Sequence, residues 1–229
     1  MKNESRIKPG TKLVEKNHIL YELNSNGKVK KYNTWLGDRF AFLYDIIMKK
    51  SVLPVKLDSD PNLHDEILKQ ELSSLHSMNV LELGTGTGCA VQWLDKGNHY
   101  SGVDVSPGLL RRAVKRFDKA GYKDPRFYIA NVEDMPFQDS CFDVCLCILT
   151  LNFFRDIDAV VKQVRRVLRK AGLFFGCVPV PERNRRNSTI QGVLHSQSEL
   201  GEIFKRNGFK FESRPVSNGA LFYFRATRL

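Results

Sequence analysis

The sequence holds no apolar run near the roughly 20 residues that a membrane-spanning helix needs. Its opening stretch, MKNESRIKPG, has no apolar segment of the secretory kind. Glu4 and a shortage of arginine there also argue against a transit peptide, so the expected location is cytoplasmic. Cysteine is scarce: five residues, with no C-x-x-C pair. Cys141, Cys145, Cys147 and Cys177 lie in or beside apolar runs, where the thiol acts as a small hydrophobe. Buried reduced thiols are therefore expected, with no metal site and no disulfide framework. Internal repeats and low-complexity tracts are also lacking.

What is present suits one folded unit. The chain has 229 residues, 42% of them hydrophobic and 27% charged. That supports one sizeable core and argues against global disorder. The formal net charge of +11 is the unusual bulk property. Lysines and arginines cluster at KVKK, RRVLRK and RNRR, but many fall on outward helix faces. A positive field alone names no partner.

Residues 1–31 read as a basic N-terminal extension, with a hairpin suggested by the Asn-Gly pair in ILYELNSNGKVKKY. From Thr34, Trp35, Phe40, Leu43, Ile46 and Ile47 recur at helical spacing. Asp60-Pro61 starts a second helix. Thereafter strands (NVLEL, YSGVDV, RFYIAN, CFDVCLCILTL, LFFGCVPV) alternate with helices (CAVQWLDK, SPGLLRRAVKRFDKAGY, DIDAVVKQVRRVLRKAG, SQSELGEIFKRNG). FKFESRPV and ALFYFRATRL follow as two strands joined by a turn too short for a parallel crossover. The expected fold is α/β: a doubly wound, mostly parallel seven-stranded sheet ending in an antiparallel hairpin, with an N-terminal helical cap over residues 32–76.

In such a sheet the ligand lies at the carboxyl ends of the strands. There stands VLELGTGTG, Val80–Gly88, with Gly84, Gly86 and Gly88 at alternate positions. A dinucleotide loop spaces its third glycine one residue later, and a triphosphate loop needs a lysine that is absent here. Glu82 would repel a pyrophosphate and suits a ligand with a cationic end. Asp104 closes the second strand about 20 residues later, where a carboxylate can accept from both ribose hydroxyls.

These residues resemble the first motif of the class I S-adenosylmethionine-dependent methyltransferases, V-L-[ED]-[LIV]-G-x-G-x-G, and the chain is closest to their type 11 branch. The resemblance runs from about Tyr32 to Arg228, making 32–229 the expected catalytic domain. It implies S-adenosylmethionine as methyl donor, S-adenosylhomocysteine as product, and a Rossmann-like fold without metal. It places Glu82, Gly84, Thr85, Gly86, Gly88, Asp104, Val105 and Ile148 at the cofactor. NVEDMPF, Asn131–Phe137, resembles the adenine segment; Asn131 replaces a usual aspartate, and Val132 offers its backbone N–H. Met135, Pro136 and Phe137 are expected to wall the adenine slot. Tyr32 and Trp35 resemble a segment that closes over the cofactor, where an aromatic face attracts a sulfonium.

No convincing general base emerges. Tyr32, Trp35 and His195 are the weak catalytic candidates; His64 and His76 precede the first strand of the alternating series. The sequence lacks [DN]-P-P-[YF] after the fourth strand, and Cys147 has no nucleophile setting. PERNRRNSTIQGV is a basic loop suited to an anion. A small-molecule acceptor is the first expectation. RNA methylation and a catalytically silent binding protein are the alternatives.

Overall fold

The apolar run NVLEL becomes β3 (Asn79–Leu83), at the centre of the sheet in a computed structural model that describes residues 6–32 and 43–229. Its neighbours are β4 (His99–Asp104) and β6 (Phe142–Ile148), both parallel to it. β5 (Arg126–Ile129) pairs parallel with β4, and β7 (Leu168–Pro179) with β6. The chain thus leaves β3 in one direction, returns, and leaves in the other. β8 (Phe209–Ser213) and β9 (Leu221–Arg228) form the expected antiparallel hairpin, and β9 lies against β7.

Helices cover both faces. α2 (Pro61–Leu72) and α3 (Pro107–Lys119) pack on one, α4 (Ile157–Val167) and α5 (Gln197–Arg206) on the other. The alternation along β3 feeds both cores: Val80 meets Leu68, Leu110 and Phe117 on one side, while Leu81 joins Val160, Phe174 and Phe204 on the other. Side-chain caps set the helix starts. Asp60 accepts from Asn62 N–H, Ser106 from Leu109 N–H and Asp156 from Ala159 N–H. Pro61 and Pro107 take first-turn positions, where the missing N–H is harmless.

Among the described residues the sheet has nine strands, two more than expected. β1 (Leu13–Lys16) and β2 (Ile19–Glu22) form an N-terminal hairpin, and β2 pairs parallel with β5. Asn17 and His18, both at positive φ, make its two-residue turn. The Asn-Gly hairpin read from the sequence shrinks to one bridge, Leu23 with Val29, closed over Asn24–Gly27. Four-residue strands carry too little alternation to be read from sequence.

Three helical expectations change. CAVQWLDK forms only a single 3-10 turn, Cys89–Gln92, because Trp93 and Leu94 turn into the core, Trp93 edge-on to His64 of α2, and Asp95 caps the turn at Gly97 N–H. α4 stops at Val167 because Leu168 already pairs with Phe142 in the sheet. Ala171, not Gly172, adopts the left-handed conformation there. In the cap, α1 (Tyr44–Ile47) runs into a wider π-helical stretch, Met48–Lys56. Leu43, Ile46 and Ile47 are exposed, contrary to their expected burial. Trp35 and Phe40 lie outside the described residues.

Candidate cofactor site

Gly84, Gly86 and Gly88 each adopt positive φ, which only glycine accepts without strain. The first and third are also sterically fixed. A Cβ on Gly84 would strike the Thr150 side chain, and one on Gly88 would lie 2.9 Å from Ala113 on α3. The loop is therefore clasped between the end of β6 and α3. Asp104 holds its middle: Oδ2 accepts from Gly86 N–H at 2.8 Å, and Oδ1 from Ser106 N–H at 2.9 Å.

A cavity of about 420 Å³ opens at this edge, within the usual range for small-molecule sites. Its lining includes Gly84, Asp104, Val105, Asn131 and Val132, drawn from the ends of β3, β4 and β5, with Thr150, Phe153 and Phe154 beyond β6. Lys31 and Tyr32 enter from the N-terminal segment. The Tyr32 hydroxyl makes a hydrogen bond with the Asn131 backbone, and burial pushes its pKa up. Tyr32 thus sits on the Asn131 side of the cavity. Asn131 Oδ1 accepts from Glu133 N–H at 3.1 Å, which turns the chain at this point.

Glu82 does not line the cavity. It is buried beneath the glycine loop, where Tyr100 Oη donates to its carboxylate and also lies 3.3 Å from Thr85 Oγ1. Burial pushes its pKa up to about 8, so the carboxyl is largely neutral at pH 7. The supposed repulsion of a pyrophosphate by Glu82 therefore loses its physical basis. Thr85 is buried beside it, also bonded to the Glu82 carbonyl. Gly86, Gly88 and Ile148 likewise lie outside the lining, in the loop and at the end of β6.

Met135, Pro136 and Phe137 are buried in the core and form no wall of the slot. Among the described residues, the aromatic side chains that line the cavity are Tyr32, Phe153 and Phe154. The signal of the last two in the sequence is the adjacent aromatic pair in LTLNFF, residues 149–154, directly after the fourth strand of the alternating series. Leu149 adopts φ +58°, an uncommon value for a bulky residue and one that marks strained backbone beside a site. Asn152 is buried; its Nδ2 donates to the Gln191 carbonyl at 2.7 Å, and its own carbonyl accepts from Val193 N–H. The loop between β7 and α5 is thereby tied to the turn after β6.

His195 stands next to Ser196, the cap of α5, and lines no described cavity. His64 is buried, with Nδ1 2.8 Å from Tyr223 Oη, and burial lowers its pKa to about 4. Among the described residues no cluster of His, Cys, Asp and Glu could hold a metal ion. All five cysteines are free thiols, three of them buried.

α1 is fastened to the glycine loop from outside. Asp45 accepts from Thr87 Oγ1 and pairs with Arg116 of α3, whose Nη1 lies 3.0 Å from Cys89 Sγ. Despite partial burial, these partners hold the Asp45 pKa below its ordinary value. Tyr44 lies near Asp104, and its pKa is pushed up to about 12 by burial and then by that carboxylate.

The type 11 methyltransferase-domain family matches residues 81–176. A sterol 4-C-methyltransferase of Caenorhabditis elegans is 29% identical over 150 residues, spanning 59% of this chain and 45% of that protein. A demethylmenaquinone methyltransferase of Thermotoga maritima is 29% identical over 163 residues, spanning 70% and 67%. The chain thus spans about half to two thirds of the length of these relatives. Among solved structures, an S-adenosylmethionine-dependent methyltransferase of Aquifex aeolicus aligns with a TM-score of 0.63 at 16% identity, covering 87% of this chain and all of that one. Phosphoethanolamine N-methyltransferase 2 of Haemonchus contortus, in complex with S-adenosylmethionine, aligns with a TM-score of 0.63 at 16% identity, covering 83% and 57%. These likenesses show the fold.

Proposed function

We propose, for a chain that carries a methyltransferase domain of the type 11 branch of the class I S-adenosylmethionine-dependent enzymes, that the carboxyl-edge cavity takes S-adenosylmethionine and that the methyl group passes to a small-molecule acceptor. The carrying observation is the joint placement of Gly84, Asp104 and Asn131 around one cavity, with Asp104 bracing the loop at Gly86. The donor set suits the cofactor. Asp104 accepts ribose hydroxyls, Asn131 and the Val132 backbone address the adenine, and the loop gives close approach to backbone at Gly84.

When bound, the sulfonium supplies a methyl group that is already activated. The protein's own work is alignment and exclusion of water. Phe153 and Phe154 supply apolar wall on the β6 side, and Tyr32 bounds the Asn131 side. No side chain near the cavity needs the role of general base. Tyr32 in its raised-pKa state holds its proton at neutral pH. A small-molecule acceptor is supported by relatives named for a sterol and for demethylmenaquinone.

Calorimetry tests the donor. S-adenosylhomocysteine is expected to bind, with no comparable response to NAD; silence toward both methionine nucleosides sinks the reading. Labelled-methyl transfer into fractionated metabolites and RNA then reads the acceptor class, and label confined to RNA overturns the small-molecule assignment.

A further inference from the structure

The described residues include eight exposed large apolar side chains, and six of them stand on one edge: Leu43, Ile46, Ile47, Val55, Phe153 and Val193. Each is between 37% and 58% exposed. The connections fix that edge. Asp45 is bonded to the glycine loop after β3. At the other end of the same stretch, the Leu57 carbonyl accepts from Ala220 N–H just before β9, whose start pairs with the end of β7. Residues 43–57 therefore cross the carboxyl ends of the sheet. Phe153 follows β6 and lines the cofactor cavity, and Val193 is tied by its backbone to Asn152. The two remaining residues, Met78 before β3 and Leu229 after β9, sit at the opposite end.

Within residues 43–57 the apolar side chains are interleaved with Lys49, Lys50 and Lys56, against one acid, Asp45, which Arg116 neutralises. Arg185 and Arg186 lie on the neighbouring loop; Arg186 pairs with Asp58, and Ser188 Oγ donates to the Lys56 carbonyl. Protein interfaces deplete lysine from their centres, whereas a short helical stretch mixing Ile and Leu with Lys suits the boundary of an anionic bilayer. Lysine near such a surface is attracted over about a Debye length. The net charge of +11 has the sign that this surface requires.

We propose that the carboxyl edge docks on an anionic lipid surface, with Leu43, Ile46, Ile47 and Val55 entering the acyl boundary and Lys50 and Lys56 meeting lipid phosphates. Lys49 is shared with Asp65 of α2, 3.5 Å away, and contributes less. Docking in this orientation sets the mouth of the cavity, marked by Phe153, against the lipid. An apolar acceptor then reaches the methyl donor without crossing water.

Flotation of the whole chain with vesicles tests this without the cofactor. Vesicles of phosphatidylcholine mixed with phosphatidylglycerol are expected to carry the protein, and phosphatidylcholine alone to carry far less. Ile46→Ser with Ile47→Ser, and separately Lys50→Glu with Lys56→Glu, are each expected to lower binding about tenfold or more. Added salt is expected to weaken the unmodified protein and to affect the lysine variant little. Both variants are expected to keep the melting temperature and the S-adenosylhomocysteine affinity of the unmodified protein, since none of the four side chains lines the cavity. Absence of flotation with anionic vesicles overturns the proposal, as does undiminished binding in both variants. Self-association lost in the isoleucine variant, or capture by RNA in place of vesicles, also overturns it. Loss of cofactor affinity in the unmodified protein would instead indict the methyl-donor site.

Discussion

Glu82 and Asp104 are two carboxyls on adjacent strands with opposite surroundings. Asp104 is braced by two backbone N–H groups at the cavity, whereas Glu82 is buried under the loop with Tyr100 as its partner. Asp104→Ala removes the loop brace and the proposed ribose acceptor. It is expected to weaken S-adenosylhomocysteine binding by about 1–3 kcal/mol in calorimetry, with Asp104→Asn intermediate; unchanged affinity in a folded variant removes Asp104 from the site. Glu82 acts on stability instead. Its pKa is about 8 in the fold against 4.5 in the free acid, so the fold holds the extra proton. That contribution is complete below pH 4.5 and is lost as pH rises through about 8. Glu82→Gln is expected to flatten this alkaline decline in denaturant titrations. His64 has the opposite sign, with its pKa lowered from 6.5 to about 4, so its contribution is lost as pH falls through that window. The acid limb should therefore survive in Glu82→Gln, and an unaltered alkaline limb would show that Glu82 is already ionised in the fold.

At the scale of elements, the cap and the glycine loop form one mechanical unit. α1 buries no residue of its own and is held through Asp45, Thr87 and Arg116. A partly solvated ion pair of this kind contributes on the order of 1 kcal/mol to global stability. Arg116→Ala is therefore expected to leave the melting temperature nearly unchanged. It should speed hydrogen exchange over residues 44–57 and weaken cofactor binding several-fold. A large fall in melting temperature with unchanged exchange in that stretch would place Arg116 in the core and not in the clamp. The same reasoning explains the misread face of α1. Period alone marks Leu43, Ile46 and Ile47 as a packing stripe, but polar bonds at Asp45 decide how the helix sits.

For the whole molecule, the N-terminal segment is part of the sheet. Ile19 is fully buried, Arg6 bonds to Asn79 and lies 5.8 Å over the Phe142 ring, and Lys8 N–H donates to the Pro136 carbonyl. Removing residues 1–24 strips β1 and β2 and leaves β5 as an open edge, a template for association. The shortened chain is expected to melt lower and to aggregate in light scattering. A monodisperse product with unchanged melting would make the segment an appendage.

Much of this protein is legible in its residues alone. The β3–β9 rhythm, the helix start at Asp60-Pro61, the antiparallel finish, the glycine loop and the Asp104 position follow from local rules: apolar periodicity, proline in the first helical turn, and glycine where φ turns positive. Those rules act over a few residues, so a sequence displays them directly. Tertiary structure alone decided which carboxyl meets the cavity, because burial of Glu82 depends on Tyr100, a residue 18 positions away. It also decided that Phe153 and Phe154 line the cavity while Met135 and Phe137 join the core, and that two short strands extend the sheet. Each of those outcomes rests on contacts between distant segments, where packing and desolvation outweigh the preferences of any single stretch.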